Sequence, residues 1–311
     1  MHPRDPGTLI VAMYERQRDG FDTNDPAKRW GPSGGIYKTA DGGENWTKLT
    51  NGLPEAELGR VGLAYYQANP YTVYAIVESK KIGTGPATAF MGISGSESPR
   101  GATATLRSVT SGGPAETAGL QAGDQVVEVD GDKVASYNDL VVKIRSHKPD
   151  EKSQIKVKRG DEEVSVELTW GKRPGAAGTR PFTAYLGTQR ANASEQQGEN
   201  GVHTGGIYKS IDGGENWKRI NSLNPRPFYY SQIYIDPSDD QYQYVMGVRL
   251  HTSSNGGVEY GTGGRNVHPD HHAMWIDPRD GRHLILGCDG GLYISYDRGK
   301  TWDVHNVMDI G

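Results

Sequence analysis

The densest chemistry in the chain lies in Asn266-Val267-His268-Pro269-Asp270-His271-His272, which places three imidazoles and a carboxylate within five positions. Neutral imidazole nitrogens beside a carboxylate can hold a divalent cation or relay a proton. On an extended strand His271 and His272 point to opposite faces, so a metal site built from His268, Asp270 and His271 needs a bend. Without one, one histidine lines a cavity, another bonds backbone carbonyls and Asp270 caps a turn. Shortly downstream stands Cys288-Asp289-Gly290. Asp270 and Asp289, with His271 as a proton carrier, are the candidate catalytic groups, because glycoside hydrolysis needs two carboxylates across a cleft. Arg226-Pro227-Phe228-Tyr229-Tyr230 and Arg60 add cations and aromatic rings, and Phe90-Met91-Gly92-Ile93 sets a glycine between large apolar residues. The chain contains no His-Glu-x-x-His, phosphate-loop or dinucleotide motif. Whether it is an enzyme is left open by these residues.

The elements that would position these groups follow from a repeat. Gly35 to Trp46, Gly206 to Trp217 and Gly291 to Trp302 share the pattern Ser/Thr-x-Asp-x-Gly-x-x-Trp around Asp41, Asp212 and Asp297, and Ser253 to Tyr260 is a weaker copy with Asn255. Each reads as strand, Asx-Gly turn, strand: glycine supplies positive φ and the Asx side chain accepts from nearby backbone N–H groups. Asp212, Asn255 and Asp297 follow one another at 43 and 42 residues, the period of a four-stranded propeller blade. An Asx-Pro-type turn before an apolar strand keeps the same step at Asp236-Pro237 and Asp277-Pro278. From Asp41 to Asp212 there are instead 171 residues, so about 128 are inserted, between the strand Thr72 to Glu78 and the strand Gly206 to Lys209.

The inserted stretch carries its own pattern. Val126 to Val134 reads as a hairpin around Asp130-Gly131, Ser136 to His147 as a helix with Leu140, Val141 and Ile144 on one face, and Gln154 to Trp170 as a second hairpin. Over residues 88–170 this resembles a bacterial PDZ domain of the kind attached to periplasmic proteases. That resemblance implies that Phe90, Met91, Gly92 and Ile93 form the loop whose backbone N–H groups receive a peptide carboxylate, with Leu140, Val141 and Ile144 across the groove. The hairpin repeat in turn resembles the Asp-box (BNR) repeat of sialidase-like, sortilin-like and xyloglucanase-like propellers. It implies turn-forming roles for Asp41, Asp212, Asn255 and Asp297, and packing between blades for Trp46, Trp217 and Trp302. Arg60, Arg226, Tyr229, Tyr230, His268 and His272 would gather at the channel mouth, with the insert standing on the same face.

The expected fold is therefore mainly β: a partial propeller of about four blades interrupted by an α+β PDZ-like domain. The domains run 1–84 (first propeller part), 86–172 (insert), 173–204 (linker) and 205–311 (second propeller part). The expected function is extracytoplasmic capture of polypeptide C-termini or extended peptides beside the channel mouth. The alternatives are a glycoside hydrolase with the insert as a targeting or regulatory module, and an insert that packs on its own propeller and binds nothing. Partners would be peptides and possible glycans, with self-association through open blade edges.

Composition narrows the classes. Lys and Arg number 34 against 38 Asp and Glu, a net charge of −4, so no basic footprint asks for nucleic acid. A single cysteine, Cys288, excludes an intrachain disulfide. No apolar run reaches the roughly 18 residues of a membrane span. The first residues lack the charged and apolar regions of a signal peptide, and the resemblances imply a periplasmic or secreted location. No resident cofactor is expected, apart from a divalent metal at His268, Asp270 and His271. Four visible blades, the first without its opening strand, point to a piece of a longer chain or to completion by association.

Overall fold

Among the described residues every strand pairing is antiparallel, as short turns between consecutive strands require. The computed structural model describes residues 1–17, 26–81, 89–95, 103–172, 188–197 and 199–305. The chain is mainly β and forms two units, Met1–Gly85 with Arg180–Gly311, and Pro86–Thr179.

Sheet I of the first unit holds β1 (Leu9–Met13), β2 (Gly35–Thr39) and β3 (Thr47–Leu49) in sequence order. Sheet II opens with β4 (Leu58–Tyr65) and β5 (Val73–Ser79). The chain then departs through β6 (Ala89–Phe90), β7 (Ile93–Gly95), β8 (Ala104–Val109), α1 (Pro114–Thr117), β9 (Gln125–Val129) and β10 (Asp132–Lys133). It continues through α2 (Tyr137–Ser146), β11 (Lys152–Arg159), β12 (Glu162–Thr169) and β13 (Gly171–Lys172). On its return, β14 (Gly205–Ser210) pairs with β5, Gly205 opposite Glu78, and β15 (Lys218–Asn221) completes the order β15-β14-β5-β4. Sheet III runs β16 (Ile233–Ile235), β17 (Gln243–Val245), β18 (His251–Ser253), β19 (Gly261–Thr262); sheet IV runs β20 (His271–Ile276), β21 (Leu284–Cys288), β22 (Gly291–Ser295), β23 (Asp303–His305). Each is an open meander.

The four turns before the last strand of each sheet share one hydrogen-bond pattern. Asp41 Oδ1 accepts from Asn45 N at 3.0 Å, Asp212 Oδ1 from Asn216 N at 3.0 Å, Asn255 Oδ1 from Glu259 N at 2.9 Å and Asp297 Oδ1 from Thr301 N at 2.9 Å. The hydroxyl two residues earlier, on Thr39, Ser210, Ser253 or Ser295, accepts from the following glycine N–H at 2.8–3.0 Å. These donors stabilise the charged carboxylate; they hold Asp41 well below the ordinary range and Asp212 down at about 2.

The aromatic residue that ends each turn packs on the preceding sheet where one is present. Trp217 shares a core with Ile10 and Leu49 of sheet I, Tyr260 one with Tyr74 and Ile220 of sheet II, and Trp302 packs on the cluster containing Tyr244 of sheet III. Trp46 departs from the expectation of inter-blade packing. It is 44% exposed, lines an apolar hollow with Val11, Met13 and Tyr37, and donates to Gly43 O at 2.9 Å. Sheet I is the first of the series, so Trp46 has no preceding sheet to rest on among the described residues.

In the second unit the main sheet has the order β12-β11-β9-β8-β7, with β10 paired to β9, and β6 pairs with β13 to clamp its two ends. Leu106, Val126, Ile155, Leu168 and Trp170 fill its core, with Trp170 Nε1 donating to Ser153 Oγ at 2.6 Å. Ser136 caps α2 by accepting from Asp139 N, which sets the helix start. Of the expected linker, Gln189 bonds Asn224 through both backbone groups, and Ser194–Gln197 and Glu199–His203 are 3-10 turns; residues 173–187 lie outside the described set.

Candidate functional site

In the second unit the loop after β6 is built around Gly92. Its φ of +79° suits glycine, and a Cβ there would meet Pro114 Cδ at 3.3 Å and Phe90 Cε1 at 3.4 Å. Met91 O accepts from Ala115 N at 2.9 Å and Gly92 O from Thr110 N at 2.8 Å, which fixes the loop to α1 and β8. Because backbone groups alternate across an antiparallel ladder, Gly92 and Ser94 turn toward β8 while Ile93 turns its N–H and C=O outward. β7 is the terminal strand of the sheet, so that edge is unpaired among the described residues.

Helix α2 lies opposite this edge. Ile93, Tyr137 and Ile144 pack half-buried on the same core, and Val141 is half-buried one turn after Tyr137. Leu140, expected in the groove, is instead 0% exposed and belongs to the core: it lies on the inner stripe of the helix, a quarter turn from Val141. Met91 is likewise a core side chain, and its part in the loop is played by its backbone. Tyr137 was not identified from the sequence. Its ring crosses to β7, where a Cβ on Gly95 would come within 2.1 Å of it. The available signal was its spacing of i, i+4, i+7 with Val141 and Ile144.

In the first unit sheets II and IV and the connection between sheets II and III contribute to one polar cluster. Arg60 of β4 donates through Nη1 to Phe228 O at 3.2 Å and Tyr229 O at 2.8 Å. The Arg226 guanidinium lies 4.4 Å above the Tyr229 ring. Tyr229 and Tyr230 pack edge-on to one another and both meet the His272 ring, at 5.9 and 5.7 Å. His272 Nε2 pairs with Asp289 Oδ1 at 2.9 Å, and Tyr230 Oη donates to Asp270 Oδ1, a bond that together with burial pushes the phenol up. Both candidate carboxylates are thus engaged by neighbours. Positive φ at Arg226, Ser231 and Asp270 marks the backbone that turns these groups together. Beneath them lies a buried pair that sequence reading missed: Arg29 Nη2 meets Glu78 Oε1 at 2.6 Å, and Glu78 Oε2 accepts from Arg60 N at 3.1 Å. Its signal was a carboxylate ending the apolar run Val73 to Val77.

His271 does not join this cluster. It is 2% exposed, and its Nδ1 has no hydrogen-bond partner among the described residues. His268 is exposed, its Nδ1 3.1 Å from Pro269 O. Among the described residues no three His, Cys, Asp or Glu side chains gather as a metal site, so His268, Asp270 and His271 are not brought together as a ligand set. Burial raises the Cys288 thiol, which is the wrong direction for a thiolate nucleophile.

Burial also holds His271 and His251 down at about 4. Both are neutral in the folded chain at pH 7, whereas an unfolded histidine takes up a proton near 6.5. Their contribution is therefore complete above about pH 6.5 and is lost as pH falls toward 4. Thermal melts at pH 7.5 and pH 5 should differ by several degrees, with the lower value at pH 5, and His271→Gln should reduce that difference.

Residues 89–169 match the PDZ domain family. A probable periplasmic serine endoprotease, DegP-like, from Hahella chejuensis is 29% identical over 118 residues, 35% of this chain and 25% of that protein. The chain thus spans about a quarter of that relative's length. Similar solved structures include the HtrA3 PDZ domain bound to a phage-derived ligand (22% identity, 29% of this chain and 83% of that one, TM-score 0.20). Another is the HtrA-type protease AlgW with a decapeptide (22% identity, 28% and 30%, TM-score 0.25). No helix among the described residues is long and apolar enough to cross a membrane.

Proposed function

We propose that the protein is an extracytoplasmic peptide-binding protein whose PDZ domain captures the carboxyl end of a polypeptide between β7 and α2. The observation that carries this reading is the Gly92 loop opening onto an unpaired strand edge opposite a half-apolar helix face. A peptide laid along that edge satisfies the outward groups of Ile93 as an added strand, and its terminal carboxylate meets the backbone N–H groups of the loop. The periplasmic name of the DegP-like relative favours the location.

We further read the first unit as part of a β-propeller. Its support is the shared turn geometry of four consecutive meanders and the meeting, in one cluster, of Arg60 from sheet II, Arg226 from the connection between sheets II and III, and His272 from sheet IV.

The test is a fluorescence-anisotropy titration of the whole chain with a C-terminal peptide library. Peptides that saturate should lose at least about tenfold in affinity when the same sequence ends in an amide, which removes the charge-assisted hydrogen bonds. Equal binding of acid and amide, or no saturation by any peptide, refutes carboxylate capture.

A further inference from the structure

Alignment of the four turns shows where the packing between successive sheets changes. Leu49, Ile220 and Gly263 occupy one repeat position, and Lys38, Lys209 and Thr252 another. Between sheets I and II, Leu49 packs with Trp217, and Lys38 Nζ reaches Glu215 at 2.6 Å. Between sheets II and III, Ile220 packs with Tyr260, and Lys209 Nζ reaches Asp240 at 2.8 Å. Between sheets III and IV the apolar side chain has become Gly263 and the lysine Thr252. A cleft of about 720 Å³ opens there.

The charges around this cleft are exchanged as well. Lys300 stands at the repeat position of Glu215, and Arg298 at that of the turn glycines Gly42, Gly213 and Gly256. Arg298 holds φ +62° where those glycines hold +71° to +75°, a conformation disfavoured for an L-residue. Three sister turns make the same hydrogen bonds with glycine, so the turn itself does not need arginine. The Arg298 guanidinium lies 3.9 Å over the Tyr242 ring, one nitrogen 3.5 Å from buried Asp236, and its Nε is buried with no hydrogen-bond partner. Arg282 also lines the cleft, paired with Asp280 at 2.9 Å. Arg265 and Lys300 are the cleft's other cations, exposed and in no ion pair among the described residues, and the Asp297 carboxylate that also lines it is engaged by its own turn through Ser295 and Thr301.

We propose that this cleft is a second binding site, for a small ligand bearing a phosphate, sulfate or carboxylate group held by Arg298, Arg265 and Lys300. Guanidinium groups suit such planar or tetrahedral oxyanions through paired N–H donors, and Tyr242 supplies an aromatic wall for the rest of the ligand. The site lies wholly in the first unit and stands or falls apart from the peptide groove.

The test is isothermal titration of the whole chain with pyrophosphate and with citrate, at low salt and at 0.15 M salt. Saturable binding of at least one probe is expected; citrate alone points to carboxylate ligands and pyrophosphate alone to phosphate ligands. Arg298→Gly, which installs the sister residue, should weaken that binding at least tenfold; it relieves the left-handed backbone but takes the cation from buried Asp236, so the exposed Lys300 supplies the second variant. Lys300→Glu, the residue at this place in the second sheet, should weaken it further. Saturation by neither probe at millimolar concentration, or wild-type affinity in Arg298→Gly, overturns the proposal.

Discussion

Substitution of Gly92 by valine should abolish measurable peptide binding, a loss of at least about 100-fold, equivalent to roughly 3 kcal/mol of binding free energy. The residue sits at φ +79° between Phe90 and Pro114. A β-branched side chain there is disfavoured by about 1–2 kcal/mol of backbone strain and must push against both neighbours. The loop would relax toward negative φ, turning the backbone N–H groups proposed to receive the peptide carboxylate. Gly92→Asn is the control, since asparagine tolerates the left-handed region better, and it should retain more affinity than valine. Titration and thermal melting of both variants separate loop geometry from general unfolding; wild-type affinity in the valine variant would remove the loop from the binding mechanism.

The second large effect is on stability. Glu78→Ala should cost about 3–5 kcal/mol, because it removes the buried carboxylate that faces the Arg29 guanidinium, whose side chain is 6% exposed, and the acceptor for Arg60 N–H. Replacing both partners, Arg29→Leu with Glu78→Leu, should cost much less than Glu78→Ala alone, since no uncompensated charge is then left inside. Urea unfolding of Arg29→Leu, Glu78→Leu and the double gives the coupling directly. Additive losses would show that the pair acts as two independent packing groups.

Local rules and long-range consequences differ in how far they could be read from the chain. The turns around Asp41, Asp212, Asn255 and Asp297 are local: a hydroxyl, an Asx and a glycine within five residues suffice to write their hydrogen bonds. Helix α2 is legible for the same reason, because Ser136 caps it and an apolar period of three and four runs through Leu140, Val141 and Ile144. Which of those three faces the core is a tertiary matter, and Leu140 was placed on the wrong side. The histidine run shows the same boundary. Only packing decides that His271 goes inward while His272 meets Tyr229, Tyr230 and Asp289. Trp46 has the sequence context of Trp217 and differs in exposure because its environment depends on a neighbouring sheet. Glu78 and Tyr137 carry weak signals, since a single polar residue beside an apolar run has many fates. The cleft beside Gly263 emerges only when the repeats are compared at one position with the sheets assembled.

The pairing of β6 with β13, and of β5 with β14, brings the two ends of the long excursion side by side twice over. An inserted segment whose two ends lie close together imposes little of its own length on the host's chain entropy once folded. Each module can then gain or lose substitutions on its own account, and a graft that exchanges the peptide-capturing module for another with closely spaced termini leaves the host meander's register intact.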